Sequence, residues 1–396
     1  MFRSIIFWTH LACGLFAGVV IFTMSLTGVL LTYERQIDEW IARSHYVPAA
    51  EQGQRLSLDA LVARHAELRP DTAVNTLVVT NDPGAPVTFR AGRSSGLSLN
   101  PYSGEPMDLT SPRVDAVMSW LTGFHRWFNV QGENRAMARQ VTGVCNVVFL
   151  FLVLSGMYLW LPKLWKPVMF RARLLFRREY PNSKARDYHW HHIFGIWMAL
   201  PLIAVVYTGA VISYPWAANF MYRVFGAEVP APAAAPGGAG GGAGRAETPV
   251  ALPEGIALPL ESLVAQAIAR EGQDWKRLTL TLPAAGQRDL GVEFDRGNGA
   301  QAHLRHTQVL DRSSGAVLTT RGFADQSEAQ RLRGIARFLH TGEVLGFWGQ
   351  TLAGLASLAA LFLVWTGFAL SWRRLIQPLL RKRRVAAAVD SGSATA

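Results

Sequence analysis

Residues 4–33 read SIIFWTHLACGLFAGVVIFTMSLTGVLLTY, thirty positions without an Asp, Glu, Lys or Arg. A helix needs roughly 20 apolar residues to cross a hydrocarbon layer of about 30 Å. Three more stretches are equally free of these charges: 140–162, 188–222 and 344–372. No other stretch is long enough. In lipid a backbone must satisfy its own hydrogen bonds, so each run is expected to form a helix. Of the 396 residues, half are hydrophobic and 17% charged, a low charge content for a water-soluble chain of this length. The first run is too long for the core of a signal peptide, and no small-residue cleavage site follows it. It is read as a retained helix.

The net charge is +11, and its placement matters more than its size. Between the second and third runs stand Lys163, Lys166, Arg171, Arg173, Arg177, Arg178, Lys184 and Arg186, opposed only by Glu179 and Asp187. After the fourth run stand Arg373, Arg374, Arg381, Lys382, Arg383 and Arg384. Short basic segments flanking membrane helices face the cytoplasm, so both termini are expected inside. The nearly charge-balanced segments 34–118 and 223–333 are expected outside. Cys13 and Cys145 both fall in apolar runs, so the outer segments have no disulfide framework, and no Cys-x-x-Cys-His occurs.

The chain repeats itself. His10-x-x-x-Gly14 precedes Thr27-Gly28, and His191-x-x-x-Gly195 precedes Thr208-Gly209, with seventeen residues from His to Thr in both. Near the ends of the second and fourth runs, Ser155-Gly156 through Trp160 resembles Thr366-Gly367 through Trp372. Between the runs of each half, an amphipathic helix is expected over 56–64 and over 260–268. Strands follow at 76–80, 87–90 and 97–99, and at 277–282, 291–295 and 302–310, from alternating apolar residues between turn residues. Both halves run inside–outside–inside, so the repeat is parallel. The Pro/Ala/Gly stretch 230–244 reads as a flexible linker.

The apolar runs carry histidine rather than carboxylates, which argues against a carboxylate-lined ion path. His10 and His191 occupy matching positions near the inner ends of helices one and three. His125 and His340 stand near the outer ends of helices two and four. Haem iron takes two axial imidazoles, and such matched pairs suit it, although imidazole also binds other transition metals. Arg126, Arg139, Arg337 and Arg373 are candidates to meet haem propionates. His125 precedes Gln140 by fifteen residues and His340 precedes Gln350 by ten. His340 is therefore expected in a bent or interfacial segment, broken near Gly342. His189 and His192 compete with His191; spacing favours His191. His45, His65, His303 and His306 read as solvent-facing groups of the outer segments.

These motifs together resemble the PepSY-associated transmembrane family, which includes iron-regulated membrane proteins and siderophore reductases. The resemblance rests on the His10 helix and its His191 repeat, the helix-then-strand outer segments ending in Tyr102-Ser103-Gly104 and Ser313-Ser314-Gly315, and the Gly156-to-Trp160 helix end. It implies an α-helical membrane protein with four transmembrane helices in two parallel helix–PepSY-like α+β domain–helix repeats. The expected order is helix one (1–33), an outer domain (34–118), a His segment with helix two (119–162) and a basic cytoplasmic loop (163–187). Helix three (188–222), the linker and second outer domain (223–333), a His segment with helix four (334–373) and a cytoplasmic tail (374–396) follow. The implied function is haem-dependent reduction of ferric siderophore in the periplasm from the bacterial inner membrane. Two b-type haems are expected on His10 with His191 and on His125 with His340, and the siderophore between the outer domains. No flavin or nicotinamide domain follows helix four, so the expected donor is a cytoplasmic partner or a quinol. Two other readings are a membrane-anchored PepSY module that binds or regulates peptidases, and a siderophore or metal permease. The first has no need of histidines at matched depths, and the second calls for a polar central path.

Overall fold

The computed structural model describes residues 1–91, 96–162, 166–230, 257–283 and 288–381. Lys163, linker residues 231–244 and tail residues 382–384 lie outside them. The chain forms two compact units. One comprises Met1–Tyr33, Ala116–Met221 and Leu339–Ala396, the other Glu34–Asp115 and Tyr222–Phe338.

The first unit is helical. Its long members are α1 (Phe2–Leu31), α5 (Arg135–Trp160) and α12 (Gly346–Leu375). Three helical stretches, Phe2–Ser44, Gly132–Trp160 and Glu343–Arg381, are long and apolar enough to cross a membrane. Only 17%, 33% and 22% of their most apolar windows are buried within the protein, so most of that surface is left for lipid. Phe16 is 76% exposed and Trp365 65%, an arrangement costly in water.

The run 188–222 departs from the single helix expected. It is divided into α7 (Ser183–Trp197), α8 (Ala199–Ser213) and α9 (Pro215–Val224). α7 and α8 meet at a 67° bend and give a fourth crossing if the pair counts as one span. Proline explains both breaks. Pro201 has no N–H to bond the carbonyl of Trp197, and its ring crowds that carbonyl, so the helix yields at Met198. Tyr214 precedes Pro215 and takes the extended conformation (φ −133°, ψ 126°) that a following proline favours.

Two further helices end in breaks. α4 (Pro112–Trp127) is followed by Phe128 and Asn129, both at positive φ (54° and 56°). α11 (Glu328–His340) is followed by Gly342 at φ +77°. A Cβ at Gly342 would lie 2.2 Å from the carbonyl oxygen of Gly349, so both the dihedral and the close backbone approach require glycine there. The break places His340 at the end of α11 and starts α12 afresh. A short helix α6 (Pro167–Leu174) precedes α7. α12 packs against α1, α7 and α8, and α5 against α1 and α8. Asn146 of α5 donates to the Val206 carbonyl of α8 at 2.9 Å, a polar tie between apolar helices.

The second unit contains α2 (Glu34–Ser44), α3 (Leu58–Leu68), α10 (Leu260–Glu271) and one antiparallel sheet. Strands β1 (Thr76–Thr80), β2 (Val87–Arg90), β3 (Leu97–Leu99) and β4 (Pro106–Met107) form one meander. Strands β5 (Arg277–Thr281), β6 (Asp289–Asp295), β7 (Arg305–Asp311) and β8 (Val317–Gly322) form the other. The order is β4-β3-β2-β1-β5-β6-β7-β8. The two outer segments therefore share one sheet, joined where β1 pairs β5 from Thr76↔Thr281 to Thr80↔Arg277. The two outer domains expected from the sequence are thus built around a single sheet. The physical reason is the edge. Each meander alone would expose the backbone of its first strand, and pairing satisfies both edges at once.

The core confirms the fusion. Leu77, Val79, Phe89 and Leu99 of one meander cluster with Leu278, Leu280, Val292 and Phe294 of the other. α3 adds Leu58 and Leu61, and α10 adds Leu260, Leu263 and Ala267. Ser57 caps α3 by accepting from the Ala60 N–H, as its residue type favours, and Glu261 of α10 accepts from the Leu58 N–H at 3.1 Å. His65 is not solvent-facing as expected. It is 4% exposed and stacks on Phe89 at 5.0 Å, because it shares the buried face of α3 with Leu58 and Leu61; burial holds its pKa below the ordinary value. Residues 302–304 form a 3-10 turn rather than strand, and β4 and β8 add outer strands to the three expected on each side.

The β1–β5 junction is testable by cross-linking. Val78 faces Thr279, and opposed residues of antiparallel strands lie about 5 Å apart, within disulfide reach. A Val78→Cys/Thr279→Cys variant carrying a protease site within residues 236–244 should, once oxidised and cleaved, run as one band without reductant and two with it. Two bands under both conditions would contradict the pairing.

Candidate functional site

Four histidines of the helical unit share one arrangement. His10 Nδ1 meets Ser155 Oγ at 2.8 Å, His125 Nδ1 meets Thr27 Oγ1 at 2.9 Å, and His191 Nδ1 meets Thr366 Oγ1 at 2.9 Å. His340 Nδ1 meets the Val205 carbonyl oxygen at 2.8 Å. In each case the residue beside the ring is the glycine of a Ser/Thr-Gly pair. A Cβ at Gly156 would lie 3.4 Å from His10 Cε1, at Gly28 3.7 Å from His125 Cε1, at Gly367 3.7 Å from His191 Cε1 and at Gly209 3.2 Å from His340 Cε1. The dipeptides Ser155-Gly156, Thr27-Gly28, Thr366-Gly367 and Thr208-Gly209, which mark the repeat in the sequence, are thus the seats of the four rings.

The hydroxyls also fix the protons. Ser155 donates to the Phe151 carbonyl at 2.7 Å, Thr27 to that of Thr23 at 2.9 Å and Thr366 to that of Phe362 at 2.6 Å. A hydroxyl has one hydrogen. With it on the carbonyl, the oxygen accepts from the histidine, so Nδ1 carries the ring proton. A carbonyl partner imposes the same tautomer on His340. The Nε2 lone pair is left unengaged in all four, since none of these nitrogens has a hydrogen-bond partner among the described residues. A metal-ligating imidazole needs this state: a free lone pair on one nitrogen and an oriented hydrogen bond on the other.

His125 and His340 are brought together, with ring centroids 6.4 Å apart and planes 59° apart. His10 and His191 stand on α1 and α7, both of which pack on α12. Of the two competitors of His191, His189 differs in its hydrogen bonds, and His192 differs in that no Ser/Thr-Gly pair seats its ring. His189 spends both nitrogens, Nδ1 on the Tyr180 hydroxyl at 2.8 Å and Nε2 on the Ala172 carbonyl at 3.0 Å. His192 bonds the Tyr188 carbonyl of its own helix. Arg373 is not available for a propionate: it pairs with buried Asp187 at 2.6 Å and also reaches Ser183. That pair ties the end of α12 to the start of α7. Arg126 lies over Trp127 and Arg337 over Phe338.

The family model for the PepSY-associated TM region matches residues 7–374. The chain belongs to that family. It is therefore a membrane protein with transmembrane helices. A search of curated proteins gave no significant match.

The haem that the family resemblance implies can be tested against these residues. Among the described residues, no group of three or more His, Cys, Asp or Glu could hold a metal ion, but haem asks for only two axial side chains. Metal–imidazole bonds are about 2 Å long, and a ring centre lies about 1 Å behind its nitrogen. Two imidazoles on one iron are then roughly 6 Å apart between centres, close to the 6.4 Å of His125 and His340. The unengaged nitrogens and the glycines beside the rings fit the same group.

The proton placement has a direct readout. In ¹⁵N-histidine spectra of haem-free protein at neutral pH, His10, His125, His191 and His340 should show protonated Nδ1 and bare Nε2. Thr27→Val should shift His125 alone. An Nε2–H tautomer at His125 in the unsubstituted protein would refute the assignment.

Proposed function

We propose that this chain is a haem-dependent reductase of the bacterial inner membrane that passes electrons outward to ferric siderophore iron in the periplasm, for iron uptake. The supporting observation is the fourfold recurrence of a histidine seated on a Ser/Thr-Gly pair with Nε2 unengaged. A membrane anchor has no use for four such rings, and the recurrence in both halves favours two sites of one kind. The spans cross four times, as two parallel helix–outer segment–helix repeats, with the bent α7–α8 pair as one crossing. The basic segments at 163–187 and after Arg373 support a cytoplasmic location for both termini, with the shared sheet on the periplasmic side.

His10 and His191 would hold the inner b-type haem, and His125 and His340 the outer one. Bound haem supplies a one-electron iron couple at each site. The protein's residues do the rest. Ser155, Thr27, Thr366 and the Val205 carbonyl hold each ring in the liganding tautomer and raise its basicity through the Nδ1 hydrogen bond. The surrounding aliphatic and aromatic side chains keep water away and so help set the potential. Each electron delivered converts one siderophore Fe(III) to Fe(II), which oxygen ligands hold less tightly. A quinol or a cytoplasmic reductant supplies the electrons.

Protein purified in mild detergent should show sharp reduced α-bands of low-spin b haem, at near two haems per chain. His125→Ala and His340→Ala should each remove the same haem, and His10→Ala and His191→Ala the other. Anaerobic addition of a ferric hydroxamate to the reduced protein should reoxidise both. A colourless protein, expressed with ample haem, would overturn the reading.

A further inference from the structure

Between α6 and the first turns of α7 lies a cavity of about 560 Å³, within the size range of small-molecule sites. Its walls are mainly apolar, with Met169 and Tyr188 among them, yet three cations converge on it: Arg173, Arg177 and Lys184. No carboxylate lines it. Arg173 is anchored by a hydrogen bond to the Trp160 carbonyl. Arg177 and Lys184 have no ion pair or hydrogen bond from their side chains among the described residues. Among the described residues, nothing neutralises the charge of these two side chains.

A topology signal requires only that basic residues flank the membrane. It does not require them to share a concave, apolar wall free of acids. Tyr188 and His192 add a recognition surface, with ring centroids 4.1 Å apart. His192 Nδ1 donates to the Tyr188 carbonyl at 2.8 Å, so its Nε2 remains an acceptor for a ligand N–H or O–H.

We propose that this cavity binds a phosphate-bearing ligand with an apolar or aromatic body. Arg177 and Lys184 take the phosphate charge, assisted by Arg173. Tyr188 and Met169 cover the body, and His192 accepts from it. Two sources share this chemistry: a soluble nucleotide such as a flavin phosphate, and the headgroup of an anionic lipid. The His192 ring stands 6.4 Å from that of His191, so an occupant touching His192 lies beside the proposed inner histidine pair. Binding requires nothing of that pair, however, and can be measured on colourless protein.

The full chain in nanodiscs of zwitterionic phosphatidylcholine is titrated with flavin mononucleotide, followed by fluorescence, with riboflavin as the phosphate-free control. In a parallel arm, bound phosphatidylglycerol is counted by native mass spectrometry. One probe should bind saturably at one per chain, and Arg177→Gln/Lys184→Gln should weaken it at least tenfold without changing the melting temperature. In the flavin arm, riboflavin should bind at least tenfold more weakly. The arm that responds identifies the source. Failure of both probes to saturate at one per chain, or equal binding by the double variant, would overturn the proposal.

Discussion

When an imidazole packed among helices gives one nitrogen to a hydrogen bond, the partner it finds decides what the other nitrogen can do. Here the partner is a hydroxyl whose own proton is already held by its helix, or a bare backbone carbonyl. Both accept and neither donates. Around this constraint the helical unit is arranged: α5 and α12 present Ser155 and Thr366 to His10 and His191, while α1 presents Thr27 to His125 and α8 presents Val205 to His340. A Cβ at Gly209 would crowd the His340 ring, and one at Gly156, Gly28 or Gly367 would fill the space up to ordinary contact with its ring. The same positions that let the helices approach thus also leave space for the histidines.

The breaks in the helices serve the same end. A straight extension of α12 would carry His340 along the axis and away from Val205. The turn at Gly342 instead lets α11 bring it back beside the helix that accepts its proton. The turn at Phe128 and Asn129 does the corresponding work for His125. Asn129 closes it by donating from Nδ2 to the Trp120 carbonyl at 2.9 Å, an expense that a non-glycine residue at positive φ requires some local bond to offset.

Much of this was legible in the sequence. Four charge-free runs marked the apolar helices, the His-to-Thr spacing revealed the repeat, and the strands β1 to β3 fell where alternation put them. The division of 188–222 was also written there, in Pro201 and Pro215, but the apolar run masked it because length and hydropathy are blind to a missing N–H. His65 shared a helix face with Leu58 and Leu61, a periodic signal that outranks residue type. The Ser/Thr-Gly pairs were visible as repeat markers, yet their role was not, since their partners lie on other helices, 98 residues away for Thr27 and His125. The β1–β5 pairing is non-local in the same way. No pattern within either strand names its neighbour.

That pairing has a consequence for the growing chain. β1 is complete once Thr80 has been made, but its partner β5 begins only at Arg277. Between the two, synthesis must add α5, the bent α7–α8 pair and the whole intervening segment. For that interval the nascent protein carries an unsatisfied strand edge and half a core, the features that invite association with other chains. The interval makes the first meander a client for whatever factor shields extended peptide. It also makes arrival of the second meander, rather than insertion of the helices, the step that closes the window for misassembly.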